Sequence, residues 1–278
     1  MKGAVMEKAL LVVSFGTSFK ETREKTICAL EQDLRDAFPD RAFYRAWTSN
    51  IIIKKIAKTE GLHVDTIEEA VLHMKADGVK DVLLQSSHMT DGYENDRVMK
   101  LMNDIKDGFD RVTCGKPMLV SEEDIDYMSE SVMAEFPEVK EGKAALVLMG
   151  HGTPSKCDGK DYDPEDDPNK VYKDQQASFR KLGYDNVFVG TVEATPTLED
   201  TLADLKSSFP APGKVYIAPY LIVAGDHATN DMAGDEPDSW KNVIAAEGYE
   251  VVPVVKGLGE YPRIRARFVQ HAREAEEI

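Results

Sequence analysis

Two stretches of this chain read as one pattern written twice, and that repeat limits the fold more than any other feature. Ala9-Leu10-Leu11-Val12-Val13-Ser14-Phe15-Gly16-Thr17 aligns with Ala145-Leu146-Val147-Leu148-Met149-Gly150-His151-Gly152-Thr153 at an offset of 136. A second pair, beginning at Val82-Leu83-Leu84 and at Val215-Tyr216-Ile217, recurs at an offset of 133. Each run is short, apolar and followed by glycine, the pattern of a buried strand leading into a tight turn. Two such runs in the same order at near-equal offsets predict two related halves, residues 1–140 and 141–278. The alignment puts Phe15 in the position of His151 and Glu94 in that of His227, so only the second half carries imidazoles there.

Short β-rich segments alternate with longer helical patterns, as in βαβ units around a mostly parallel sheet. Strands are predicted at 8–15, 42–47, 81–87 and 111–119, then at 144–149, 186–192, 214–223 and 250–255. Helices are predicted at 22–38, 50–57, 66–76, 95–106 and 122–135, then at 170–182, 198–208, 239–247 and 262–275. Thr66-Ile67-Glu68-Glu69 has the residues of a capping box. The fold class is therefore α/β: two doubly wound parallel-sheet lobes related by internal duplication and joined near 138–143. An active cleft is expected between them, with ligands at the carboxyl ends of strands. Residues 154–169 gather Asp158, Asp161, Asp163, Glu165, Asp166 and Asp167 around Pro164 and Pro168, and read as an exposed, solvated loop long enough for a lid.

With 278 residues and 42% hydrophobic content the chain can bury one or two ordinary cores. A net charge of -16 argues against binding nucleic acid or an anionic membrane, because both need cationic surface. The sequence has no apolar run of the roughly 20 residues that span a bilayer, and a cytoplasmic location is expected. The sequence is compatible with a homo-oligomer and does not specify one. Cys28, Cys114 and Cys157 form no C-x-x-C pair, so they read as reduced thiols rather than a disulfide framework or a cysteine zinc site.

Three residues stand at successive strand ends in the second half. His151 follows an apolar strand and a glycine, and precedes Gly152-Thr153-Pro154. Glu193 closes the strand 186–192; a carboxylate there, its pKa raised by an apolar wall, accepts protons near neutral pH. The competing account makes it a surface residue opening the loop before Pro196. His227 lies in Gly225-Asp226-His227-Ala228-Thr229-Asn230-Asp231, where Asp226 or Asp231 could hold its second ring nitrogen. The competing account has Asp226 as a helix cap and His227 as incidental. Spread over 77 positions, the trio is not a local motif such as H-E-x-x-H. Imidazole ligands suit cobalt, nickel, iron and zinc without choosing among them, and exclude calcium and magnesium. His88, after the strand 81–87, ranks below these three because its repeat partner is Leu221. His63, His73 and His271 are expected to be structural or solvent-facing. No nucleotide-binding glycine motif or hydrolase nucleophile elbow follows a strand, so no organic cofactor is indicated.

Several runs together resemble a known family, the class II tetrapyrrole chelatases, and within it the anaerobic cobalt chelatases of the CbiK type. They are Lys8 through Ser18, Arg45-Ala46-Trp47-Thr48-Ser49, Met149-Gly150-His151-Gly152, Val192-Glu193, Val223-Ala224-Gly225-Asp226-His227 and Asn230-Asp231-Met232-Ala233. Asp238-Ser239-Trp240-Lys241 and Gly257-Leu258-Gly259-Glu260 extend the likeness over nearly the whole chain. The resemblance implies a lyase that inserts Co2+ into sirohydrochlorin for cobalamin biosynthesis without ATP. It implies His151 and His227 as metal-binding residues with Glu193 acting beside them, the divalent metal being a substrate. The acidic stretch 156–169 looks longer than the loop usual in the family. A substrate with eight carboxylates needs a cationic or amide-rich rim on an acidic protein. Arg45, Lys54, His88 and the segment Ser14, Phe15, Gly16 and Thr17 are the expected contributors. An Fe2+ or Ni2+ chelatase on the same tetrapyrrole, and a non-catalytic metal or tetrapyrrole carrier, are the alternatives. A two-lobe small-molecule binder that needs neither histidine is a third.

Overall fold

The computed structural model describes residues 6–153, 156–157, 160–161, 167 and 169–278. Most of the predicted acidic loop, with Asp158, Asp163, Glu165 and Asp166, and the Cys157 side chain lie outside the described residues. The strands are β1 (Lys8–Ser14), β2 (Ala42–Trp47), β3 (Asp81–Ser86), β4 (Arg111–Gly115), β5 (Ala145–Gly150), β6 (Lys156–Cys157), β7 (Lys160–Asp161), β8 (Val187–Thr191), β9 (Lys214–Pro219), β10 (Glu250–Pro253) and β11 (Glu276–Glu277). One sheet runs β11-β4-β3-β1-β2 and another β10-β9-β5-β8. If β1, β2, β3 and β4 are matched with β5, β8, β9 and β10, the two orders coincide. All pairings within these sheets are parallel except β11 with β4. The repeated sequence thus folds into a repeated topology.

Helices cover both faces of such sheets, so the central strands are buried on both sides and read as unbroken apolar runs. In β5 all six residues are buried, and in β1 every residue but Lys8. The predicted capping box forms: Thr66 Oγ1 accepts from Glu69 N and the Glu69 carboxylate from Thr66 N. It starts the helix Ile67–Ala76. The predicted helix 22–38 is instead two, Lys20–Lys25 and Ile27–Ala37, broken at Thr26, whose hydroxyl donates back to Thr22 O. The strand predicted at 214–223 ends at Pro219, which has no N–H to continue a ladder.

The chain divides into two compact units, one of residues 1–120 with 259–278 and the other of 121–258. This differs from the predicted division at 140/141, for reasons visible in the contacts. The helix Glu122–Met133 packs on Lys170–Lys181 of the second unit through Gln175 to Ser129, Ser178 to Asp126, and Lys181 to both Glu122 and Asp126. The helix Pro262–Arg273 belongs to the first unit, where Arg265 Nε donates to Asp33 at 2.6 Å, and β11 then extends that unit's sheet. Where a simple linker was expected, the short helix Pro137–Lys140 forms within the second unit. No helix among the described residues is long and apolar enough to cross a membrane.

Candidate metal centre

In the second unit β5 lies between β9 and β8, and the three ends at its carboxyl edge lead to His151, His227 and Glu193. Pairing continues past the strands: Val192 N donates to Gly150 O and Glu193 N to His151 O, which fixes the two residues side by side. One ligand atom from each of His151, Glu193 and His227 lies within 4.8 Å of the other two. The imidazoles meet edge to face, with ring centroids 4.7 Å apart and planes at 90°. Glu193 Oε2 stands 3.9 Å from His151 Nδ1.

Both imidazoles are oriented by the bonds of one nitrogen. His151 Nδ1 lies 2.7 Å from Gly152 O, a carbonyl that can only accept, so the assigned tautomer carries its proton there and leaves Nε2 as a lone-pair donor. His227 Nδ1 lies 2.6 Å from Asp231 Oδ2. Of the two carboxylates considered from sequence, Asp231 is therefore the partner, while Asp226 Oδ1 accepts from Asn230 Nδ2. His227 and Asp231 meet across the π-helical turn Ala228–Met232, a local widening that recurs at functional sites.

The turn that carries His151 needs two glycines. Gly152 has φ +84°, and a Cβ there would fall 2.7 Å from the Ala194 Cβ. At Gly150 a Cβ would fall 2.3 Å from Tyr172 Cε1, because the Tyr172 ring lies against the strand end and its hydroxyl accepts from Gly152 N at 3.1 Å. Asn169 completes the support: its side chain accepts from Thr153 N at 2.7 Å and donates to Thr153 O at 2.8 Å. Neither Tyr172 nor Asn169 was singled out by sequence. The available signal was an Asn directly before a helix, which points to a cap rather than to this two-point clamp on a turn 16 residues upstream.

Other expectations change. Glu193 is 44% exposed, so the apolar wall predicted around it is not there and its candidacy rests on position. Arg45 is not a free cation: its Nε donates to Glu31 at 2.7 Å and its second nitrogen also pairs with Glu31, which holds it against the helix Ile27–Ala37. That commitment removes it from the expected rim. Ser14 Oγ accepts from Ser87 Oγ, Thr17 Oγ1 accepts from Phe19 N, and Gly16 is folded over the Trp47 ring. Within that segment Phe15 is the side chain left outside, 48% exposed. His88 bonds Ser86 Oγ through Nδ1, and its Nε2 is buried without a partner rather than presented to a ligand. Lys54 is exposed on the helix Asn50–Glu60. Cys28 and Cys114 are free thiols, and burial pushes Cys114 up to about 12.

Two related parallel α/β sheets, one of them ending in two imidazoles and a carboxylate, define a protein of the chelatase fold. A solved structure described as SirB from Bacillus subtilis with Fe3+ shares that fold, with TM-score 0.61, 15% identity, and coverage of 96% of this chain and 94% of the other. The family model described as "Cobalt chelatase (CbiK)" matches residues 8–277, and the chain belongs to that family. It is 37% identical over 270 residues to a sirohydrochlorin cobaltochelatase of Salmonella typhimurium, covering 97% of each chain. It is also 28% identical over 257 residues to the sirohydrochlorin cobaltochelatase CbiKC of Nitratidesulfovibrio vulgaris, covering 92% of this chain and 86% of that one.

Proposed function

We propose that this protein is a sirohydrochlorin cobaltochelatase: it inserts Co2+ into sirohydrochlorin for cobalamin synthesis, in the cytoplasm, with no nucleotide or organic cofactor. The observation that carries the reading is the convergence of His151, Glu193 and His227 at one sheet edge in a chain of the cobalt chelatase family. The names of the two relatives favour Co2+ over Fe2+ and Ni2+.

The overall step releases two protons: a divalent ion and the free macrocycle give the metallated macrocycle and 2 H+. His151 and His227 hold the ion through Nε2 as it sheds water. Neutral imidazoles suit this task because they bind a divalent transition ion as uncharged nitrogen donors, leaving its full positive charge to draw the macrocycle nitrogens. Glu193, beside His151, accepts a pyrrole proton as each nitrogen lone pair turns to the ion. Its exposed position lets it pass that proton to water.

The test is the anaerobic absorbance change of sirohydrochlorin with Co2+, measured for wild type, His227→Ala and Glu193→Gln against the uncatalysed rate. Both variants are expected to lose roughly a hundredfold or more in turnover. A Glu193→Gln protein that keeps full activity would remove the base from the scheme. A wild type no faster than background would leave a carrier. Rates with Fe2+ and Ni2+ under the same conditions rank the metals.

A further inference from the structure

A second group of metal-ligating side chains lies on other elements, in the first unit. His63, Asp65 and Glu69 each offer one ligand atom within 4.8 Å of the other two. His63 Nε2 is 3.0 Å from Asp65 Oδ1, and His73 Nδ1 is 2.8 Å from Asp65 Oδ2. We propose that His63, Asp65 and Glu69 form a surface site for a divalent first-row transition ion, with His73 orienting Asp65.

Three features of the group support a built site over a chance meeting of charged side chains. The first is backbone anchoring. Asp65 O accepts from Trp47 N at 2.9 Å, and Asp65 pairs with Ala46 in an isolated bridge, so its carboxylate is set by the end of β2. Glu69 is fixed by the capping box, in which Oε2 accepts from Thr66 N and leaves the other oxygen for a ligand.

The second is charge. Among the described residues neither Asp65 nor Glu69 forms an ion pair with lysine or arginine; the partners of Asp65 are the two imidazoles. Two converging carboxylates without a permanent cation repel each other, and a divalent ion reverses the sign of that interaction.

The third is spacing. Ligand atoms about 2.1 Å from one ion and about a right angle apart stand close to 3 Å from each other, the separation of His63 Nε2 and Asp65 Oδ1. On binding, the His63 proton resides on Nδ1 and the hydrogen bond to Asp65 is replaced by two metal bonds. His73 then holds the outer oxygen of Asp65, as partners of ligating carboxylates do. The side chains of His63 and His73 are 70% and 58% exposed, so an ion has free access. One imidazole with two carboxylates suits Co2+, Zn2+ or Ni2+ better than Mg2+ or Ca2+. Such an ion would join residues 63–65 to the helix Ile67–Ala76 and stabilise the first unit by mass action.

The probe is Co2+ alone, without tetrapyrrole, titrated calorimetrically and by visible absorption into wild type, His151→Ala/His227→Ala, and that double variant carrying His63→Ala. Wild type is expected to bind two equivalents and the double variant one, and His63→Ala is expected to weaken that remaining equivalent by about tenfold or more. Far-UV circular dichroism checks that each variant is folded. A double variant that binds no Co2+, or a remaining equivalent indifferent to His63→Ala, overturns the proposal. If wild type and the double variant bind equally while His63→Ala removes an equivalent, the metal role of His151 and His227 fails and this site stands.

Discussion

With Nδ1 2.6 Å from Asp231 Oδ2, the His227 ring donates on that side and keeps Nε2 for an incoming ion. Partners of this kind fix ring orientation and raise ligand basicity. In the proposed scheme Asp231→Asn weakens Co2+ affinity by about tenfold to a hundredfold, because an amide can present either an oxygen or an N–H to the ring. Calorimetric titration of the variant, alongside His227→Ala, reads this directly. His88 supplies a different signal. Burial pulls its imidazole down to about 4 from an ordinary value of 6.5. As pH falls the unfolded chain takes up this proton before the folded one does. The stability contributed by neutral His88 is therefore complete above about pH 6.5 and is lost as pH falls towards 4, a change of the order of 3 kcal/mol. Urea midpoints between pH 7 and 4.5 should fall less steeply in His88→Gln than in wild type. Sequence made His151, Glu193 and His227 visible because each follows an apolar run. It could not show that Arg45 spends its charge on Glu31, a partner 14 positions away on a separate helix.

At the scale of elements, the helix Lys170–Lys181 and strand β5 meet at a point where only glycine fits. Gly150→Ala would drive a methyl group into the Tyr172 ring, whose hydroxyl holds the amide of Gly152. Overpacking of this kind costs about 1–3 kcal/mol. The urea midpoint should drop accordingly, and turnover should fall as well, since the His151 turn moves with the ring. Strands were legible because parallel sheets covered on both faces demand continuous apolar sequence, and the predicted strand 42–47 matches β2 from end to end. Ends set by local chemistry were less so. The stop of β9 at Pro219 follows from a missing N–H, yet the apolar residues beyond it, Tyr220 through Val223, carry the same pattern as a strand.

For the whole molecule, the repeat pointed to two related α/β units but not to which unit keeps which helix. That choice depends on pairings far apart in sequence, such as Arg265 with Asp33 at a separation of 232 residues, and no local pattern encodes them. If those pairings fix the units, ending the chain after Leu258 should damage the first unit selectively. It removes the helix Pro262–Arg273 and uncovers the edge of β4, while the elements of the second unit are all retained. Hydrogen exchange on such a truncated chain is expected to show lost protection in β1, β3 and β4 and retained protection in β5, β8 and β9.

Because residues 259–278 close the first unit, the order in which the chain leaves a ribosome differs from the order in which its parts can be finished. The segment 121–258 emerges complete while the earlier segment still waits for its last helix and edge strand. During that interval the flank of Ile27–Ala37 that carries Asp33, the partner of Arg265, and the unpaired side of β4 stand open to chaperones or to other nascent chains. In this chain the part synthesised first is the part that matures last.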